Sequence, residues 1–177
     1  MTNISIQYFK TPFGELILGS YRDSLCLCDW RYRRNRTMID YRIRNELKAE
    51  YMKSESPVIQ KARIQLNDYF NKSRKQFDLP LILSGSAFQE EVWNALTNIP
   101  YGQTISYLEL ARSLGNEKSI RAVASANGAN AISILIPCHR VIGSKGELTG
   151  YAGGIEVKRK LLLLESASVN PGQLQLF

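Results

Sequence analysis

At 177 residues, 44% of them hydrophobic, the chain has room for one domain of ordinary size or two small ones sharing an interface, with enough apolar side chains to bury a core. Lys and Arg number 23 against 16 Asp and Glu, a net +7 that suits a polyanionic partner such as DNA without demanding one. No charged-then-apolar leader follows Met1, no apolar run approaches the roughly 18 residues of a membrane helix, and three cysteines with one histidine are too few for a zinc cluster, so a cytoplasmic protein without metal or cofactor is expected.

The first 30 residues read as strands. Ile4, Ile6 and Tyr8 alternate with polar residues, Thr11-Pro12-Phe13-Gly14 signals a turn, and the runs Leu16–Gly19 and Leu25–Trp30 follow. Cys26 and Cys28 stand two apart in the third run, which places both on one face as core filler. Residues 31–55 change character, with Arg31, Arg33, Arg34, Arg36, Arg42 and Arg44 among Tyr32, Tyr41 and Tyr51. Arg–Tyr interleaving can track a phosphate backbone, but charge runs usually face water, and a solvated loop with a short polar helix is expected. Ser56-Pro57 opens a helix whose apolar face is expected to carry Val58, Ala62, Ile64, Leu66, Tyr69 and Phe70. A linker with one extended piece, Leu79–Leu83, leads to Gly85.

The second half reads as mainly helical. Ser86 with Gln89 has the form of a capping box, opening a helix through Val92, Trp93 and Leu96. Ser106 caps the next, and Ser119 begins a third that Gly128 ends. Two helices joined by a Gly-containing turn have the pattern of a helix-turn-helix, although most such pairs are simply packed together. The second helix is nearly bare: apart from Arg121 it carries mainly Ala, Ser and Val, including Ala122 and Ala126. A helix with side chains is about 10 Å across and a minor groove about 6 Å wide, so an alanine-clad helix can approach a groove that long side chains would block. Gly143–Gly146 and Gly150–Gly154 are glycine-rich loops, with no phosphate-loop lysine pattern after them. A last helix is expected over 158–166.

Between these loops lies Ile134-Leu135-Ile136-Pro137-Cys138-His139-Arg140-Val141. The apolar run reads as a short buried strand that Pro137 halts. Cys138 sits at the turn beside His139, the one histidine of the chain. A thiolate is the reactive form of cysteine, and an adjacent imidazole is a common means of generating it; a buried inert cysteine is the alternative.

The pentapeptide 137–141 resembles the active-site signature of the O6-alkylguanine-DNA alkyltransferases. Phe88 through Ala95, Ile99 through Gly102, Ser106-Tyr107, Arg121-Ala122-Val123, Asn130, Gly150-Tyr151 with Gly153-Gly154, and Glu165 follow in that family's order and spacing. The likeness is strong over about residues 86–166 and extends only to layout before them. It implies an α/β (α+β) chain: an N-terminal strand-rich domain over 1–84, a mainly helical C-terminal domain over 85–167 with a winged helix-turn-helix-like unit, and a tail over 168–177. It further implies a monomer that extrudes O6-alkylguanine, and O4-alkylthymine, from duplex DNA and keeps the alkyl group on Cys138 in a single turnover. In that scheme Cys138 is the nucleophile, His139 the base oriented by Glu165, and Asn130 the link from the DNA-binding helix to the cysteine turn. Tyr107 would favour departure of the base, Arg121 would fill the stack, Ala122 and Ala126 would lie along the groove, the backbone of Cys138 and Val141 would read the base edge, Tyr151 would wall the pocket, and a backbone amide near Ala152 would contact the oxygen. Ala152 stands where some relatives have serine, which bears on pocket size.

Two other readings fit less well. A non-catalytic damage-binding protein on the same scaffold would lack the cysteine, which is present. A cysteine hydrolase would need side chains of adjacent Cys and His to pair directly, an awkward geometry. The tail, Gln173-Leu174-Gln175-Leu176-Phe177, resembles the short motif by which bacterial repair proteins dock on the sliding clamp, with Leu174, Leu176 and Phe177 as apolar anchors beside Gln173.

Overall fold

Alternating apolar positions near the N-terminus build the first layer. The computed structural model, which describes residues 2–166, has strands β1 (Asn3–Thr11), β2 (Gly14–Tyr21) and β3 (Ser24–Trp30) as an antiparallel meander. Helix α1 (Arg36–Leu47) follows, and β4 (Glu50–Lys53) returns parallel to β1, giving the order β3-β2-β1-β4. Helix α2 (Pro57–Phe70) is started as its sequence requires: the Ser56 hydroxyl accepts from Ile59 N–H, and Pro57 occupies the first turn.

The second half comprises α3 (Ala87–Leu96), a short β5 (Ile105–Ser106), α4 (Tyr107–Ser113), α5 (Ile120–Gly128), β6 (Val141–Ile142) and α6 (Ile155–Glu165). Ser86/Gln89 and Ser106/Glu109 both form complete capping boxes. The start of α5 differs from expectation. A 3-10 turn over Glu117–Ser119 precedes it, capped by the Asn116 side chain, while the Ser119 hydroxyl donates to the Asn116 carbonyl and caps nothing. Helix α6 begins one turn earlier than expected, because Gly154 at φ +92° supplies a backbone conformation from which the helix can start.

The edge of β3 is what places the cysteine turn. Leu25 pairs with the linker (Leu25 N–H to Pro80 O, 2.8 Å; Ile82 N–H to Leu25 O, 2.9 Å). Further along, Cys28 N–H donates to Ala131 O (2.9 Å) and Ser133 N–H to Cys28 O (2.6 Å). The edge is thus covered by chain from the second half, and residues 131–133 are fixed in register just before Cys138. One continuous core joins Leu16, Leu18 and Trp30 of the sheet to Tyr69, Trp93, Leu110 and Leu161. Among the described residues no helix is long and apolar enough to cross a membrane.

Two expectations for the first half are corrected. Cys26 and Cys28 do not share a face. Leu25 pairs with Ser20 and Leu27 with Gly19, so Cys26 is the extra residue of a β-bulge. Cys26 and Leu27 therefore both enter a second, smaller core with Ile4 and Ile43, while Cys28 joins the main one. The arginines of 31–44 are also not simply solvated. Arg33 and Arg36 bond the buried Asp29 carboxylate (3.0 and 2.8 Å). Arg33 also donates to the carbonyls of Gly128 (2.6 Å) and Asn130 (3.0 Å), and Arg42 to that of Ala129 (2.8 Å). These cations satisfy the orphan carbonyls at the C-terminal end of α5, where the helix dipole favours positive charge.

Asp29 is fully buried and also accepts from Trp30 N–H (3.0 Å) and the Ser133 hydroxyl (3.2 Å). Asp29→Ala leaves the largely buried Arg33 guanidinium without its carboxylate and Arg36 with Asp40 alone, and a loss of about 3 kcal/mol is expected in urea unfolding. A loss below ~1 kcal/mol, the range of exposed pairs, is the contrary result.

Candidate active site

The run Ile134-Leu135-Ile136 is not a strand. Leu135 N–H bonds Ser133 O (2.9 Å) and Ile136 N–H bonds Ile132 O (3.0 Å), which folds the segment into a tight turn. Ile134 takes φ +74°, a left-handed conformation that a β-branched residue adopts at a cost of about 1–3 kcal/mol. The strain is held by burial of Ile134 and Ile136 in the main core. Pro137 then leads into a 3-10 turn, Cys138–Arg140, all three residues of which are buried.

Asn130, just past α5, holds this turn with both ends of its amide. Its Oδ1 accepts from Ile132 N–H (2.9 Å), while Nδ2 donates to Ile136 O (2.9 Å) and lies 3.2 Å from Cys138 Sγ. The helix end, the turn and the thiol are thereby fixed together. Burial pushes the Cys138 thiol up, and the Asn130 donor and the Lys158 ammonium pull it only partly back. The resting cysteine is a neutral thiol.

His139 is fully buried with Nε2 2.7 Å from Glu165 Oε1. Burial holds its imidazole below the ordinary value, and Glu165 opposes this. Burial pushes the Glu165 carboxyl up, but His139 and Arg140 outweigh it and hold the group well below the usual carboxylate range. An ionised carboxylate only accepts, so Nε2 carries the proton and Nδ1, which has no hydrogen-bond partner among the described residues, is the free base. Glu165 also accepts from Arg140 (Nε to Oε2, 2.9 Å; Nη2 to Oε1, 3.0 Å) and from the Tyr69 hydroxyl (2.7 Å to Oε1).

A cleft of about 590 Å³ is joined to the turn through Asn127, whose Nδ2 donates to Cys138 O (3.4 Å), although no residue of 134–141 lines it. Tyr107, Asn127, Tyr151 and Ala152 line it, with Arg121 and Arg34 bordering it from the two halves of the chain. Burial raises the Tyr107 hydroxyl, which lies beside Thr149 and Asn127. Tyr151 accepts from Trp30 Nε1 (3.0 Å) and sets its ring edge-on to His139 (6.4 Å between centroids). On α5, Arg121 and Ala122 are exposed, whereas Val123, Ala126 and Asn127 form the buried stripe of the helix. Ala126 is therefore no DNA contact: it packs inward, and its carbonyl accepts from Trp93 Nε1 (2.8 Å). The Val141 carbonyl accepts from Lys158 Nζ (2.6 Å), leaving one lone pair for any base edge.

Sequence reasoning missed Lys158, Arg140, Tyr69 and Asp29. Lys158 is wholly buried, ties Val141 O to Thr149 O (2.9 Å), and is brought by burial to about 8. Its position on the buried stripe of α6, one turn before Leu161 and Leu162, was the available signal. The tail residues Gln173, Leu174, Leu176 and Phe177 lie outside the described residues.

Residues 87–167 match the family model described as 6-O-methylguanine DNA methyltransferase, DNA binding domain. The chain is 40% identical over 160 residues to the methylated-DNA–protein-cysteine methyltransferase of Methanosarcina acetivorans, covering 90% of this chain and 96% of that one. It is 40% identical over 165 residues to the constitutive enzyme of that name from Bacillus subtilis, covering 90% and 93%. Among solved structures, Mycobacterium tuberculosis OGT in complex with DNA superposes with a TM-score of 0.80 at 37% identity, over 98% of this chain and 99% of that one.

His139 makes stability depend on pH with a definite sign. Its folded value lies below the ordinary 6.5 or so, so the unfolded chain binds a proton that the folded one refuses. Its contribution is present above pH ~6.5 and is lost as the pH falls through that value, by at most about 1.4 kcal/mol per unit. Urea unfolding at about pH 7.5 and 5.5 is expected to show this loss in the wild type and little of it in His139→Gln, which keeps a donor for Glu165. Equal losses in both assign the acid sensitivity elsewhere.

Proposed function

The chain belongs to the methylated-DNA–protein-cysteine methyltransferase family, and from that premise we propose how its own residues carry out the repair. The protein is a DNA-repair transferase that moves an alkyl group from DNA to a cysteine. Duplex DNA lies against α5, with Ala122 in the minor groove and Arg121 filling the gap left when O6-alkylguanine turns out into the cleft. Extrusion is required because the alkylated oxygen is out of reach inside the stack, and unstacking costs a few kcal/mol.

What supports this reading most directly is a buried thiol with an amide donor 3.2 Å from its sulfur and a His–carboxylate pair beside it, tied through Asn127 to the wall of an open cleft. His139 Nδ1 takes the thiol proton through a bridging water, and Glu165 stabilises the imidazolium that results. Cys138 sulfur forms a bond to the alkyl carbon as the carbon–O6 bond breaks, and that electron pair passes to the guanine ring. Tyr107 passes its proton to the ring as the charge arrives, so the base departs neutral, and solvent carries the proton held by His139 back to the Tyr107 phenolate. Tyr151 and Ala152 bound the space for the alkyl group, and the small side chain of Ala152 leaves it roomy. The thioether is a poor leaving group, so one protein repairs one base. O4-alkylthymine presents the same carbon–oxygen bond and is a second substrate. The protein acts as a monomer.

Incubation with a duplex holding one O6-methylguanine is expected to add one methyl group to the peptide carrying Cys138, saturating at one per protein by intact mass. Cys138→Ala is expected to take up none while still preferring the methylated duplex. Unaltered mass in the wild type, with tight damaged-DNA binding, would make this a damage-binding protein.

The tail supplies a further contact: Leu174, Leu176 and Phe177 beside Gln173 would fill the peptide pocket of a bacterial sliding clamp. Deletion of residues 173–177 is expected to abolish clamp binding and leave methyl transfer intact. Equal clamp binding by the shortened chain ends that idea.

A further inference from the structure

The Glu165 carboxylate has more donors than an orienting role needs, and one of them comes from the other half of the chain. Oε1 receives His139 Nε2 (2.7 Å), Arg140 Nη2 (3.0 Å) and the Tyr69 hydroxyl (2.7 Å), and Oε2 receives Arg140 Nε (2.9 Å). Tyr69 lies on α2, 96 residues away in sequence, and has no solvent exposure. Its ring is locked by Phe70, Phe77 and Tyr101 (centroids 5.3, 5.6 and 6.2 Å), so the hydroxyl cannot swing away to another acceptor. Two short bonds therefore compete for one oxygen. Negative charge given to the phenol is charge withheld from the imidazole, and a hydrogen bond to an ionised group in a dry interior is a strong one.

We propose that Tyr69 is a positioning residue for the transfer: by sharing Glu165 Oε1 with His139, it sets how firmly the imidazole holds the proton taken from Cys138. The inference rests on the roles proposed above for Cys138 and His139. The other polar and charged groups around the pair are Arg140 from the 3-10 turn, Lys158 from α6, and the hydroxyls of Tyr101 and Tyr151. Of the tyrosines, Tyr69 bonds the carboxylate, whereas Tyr101 donates to Leu164 O (3.4 Å) and Tyr151 accepts from Trp30. Burial raises the Tyr69 hydroxyl well above its ordinary value, so it remains a donor throughout the working range.

The sign follows. Without the phenol, Oε1 is a better partner for the imidazolium, and the thiolate–imidazolium pair forms at lower pH. The test is the pH dependence of Cys138 alkylation by iodoacetamide, followed by peptide-mapped mass spectrometry. It needs no DNA, so its outcome is separate from whether methyl transfer to Cys138 occurs. Cys26 does not interfere near neutrality, since burial pushes its thiol to about 12. Tyr69→Phe is expected to move the midpoint down by about 0.5–1 pH unit, a gain of ~3- to 10-fold in rate on the acid side. Incorporation of 3-fluorotyrosine at position 69 keeps the ring and strengthens the donor, and the midpoint is expected to rise. Tyr101→Phe serves as the control and is expected to leave it in place. Midpoints that stay put in both Tyr69 variants, that move in the same direction, or that shift equally in Tyr101→Phe overturn the proposal.

Discussion

A carboxylate sealed inside a protein must be surrounded by donors or it will not stay charged, because burying an isolated ion costs more than the whole stability of a domain. Glu165 is such a group, 1% exposed at the last position of α6. Its requirement draws Arg140 and His139 inward from the cysteine turn and Tyr69 across from α2. Arg140 is itself tied to the turn before β5 through the Ile99 carbonyl (2.6 Å). Three segments of chain therefore meet at one side chain, a fourth is tied in through Arg140, and the position of Cys138 follows from that convergence.

The second buried carboxylate works on the opposite side of the same turn. Asp29 at the end of the β3 edge gathers Arg33, Arg36 and Ser133, and Arg33 goes on to bond the carbonyls that close α5. The segment 131–133 is thus held by backbone pairing and by charge at once. The first half of the chain borders the cleft with Arg33 and Arg34. It supplies Asp29 and Tyr69, which clamp the turn from two directions. Strain at Ile134 persists because this clamp over-determines the backbone around it.

What could be read from the sequence was what is local. Ser56, Ser86 and Ser106 with their partners three residues on mark helix starts, because a capping bond spans only one turn. Pro137-Cys138-His139 was legible for the same reason, as chemistry written in adjacent residues. The Cys26 bulge was not, since a register shift is decided by what Gly19 and Ser20 on the neighbouring strand permit. Nor were the inward arginines. Arg33 finds its acceptors 95 and 97 residues away, and in composition it cannot be told from Arg34, which borders the open cleft. Ala126 misled because a bare helix looks alike on all faces; only packing against Trp93 decides which alanines turn inward.

The resting state that emerges is protonated and quiet. Burial favours the neutral forms of both Cys138 and His139, so the nucleophile is not exposed as a free thiolate in the absence of substrate. The same dryness makes the fixed groups effective when reaction begins, since each dipole and charge acts through low dielectric and need not reorganise. Asn130 is already 3.2 Å from the sulfur and Glu165 is already charged beside His139. On the proposed route the turn has to change only the location of one proton. A thiol held largely in its neutral form by burial reacts slowly with stray electrophiles. The two buried carboxylates, neither of which touches the cysteine, make that arrangement stable enough to wait.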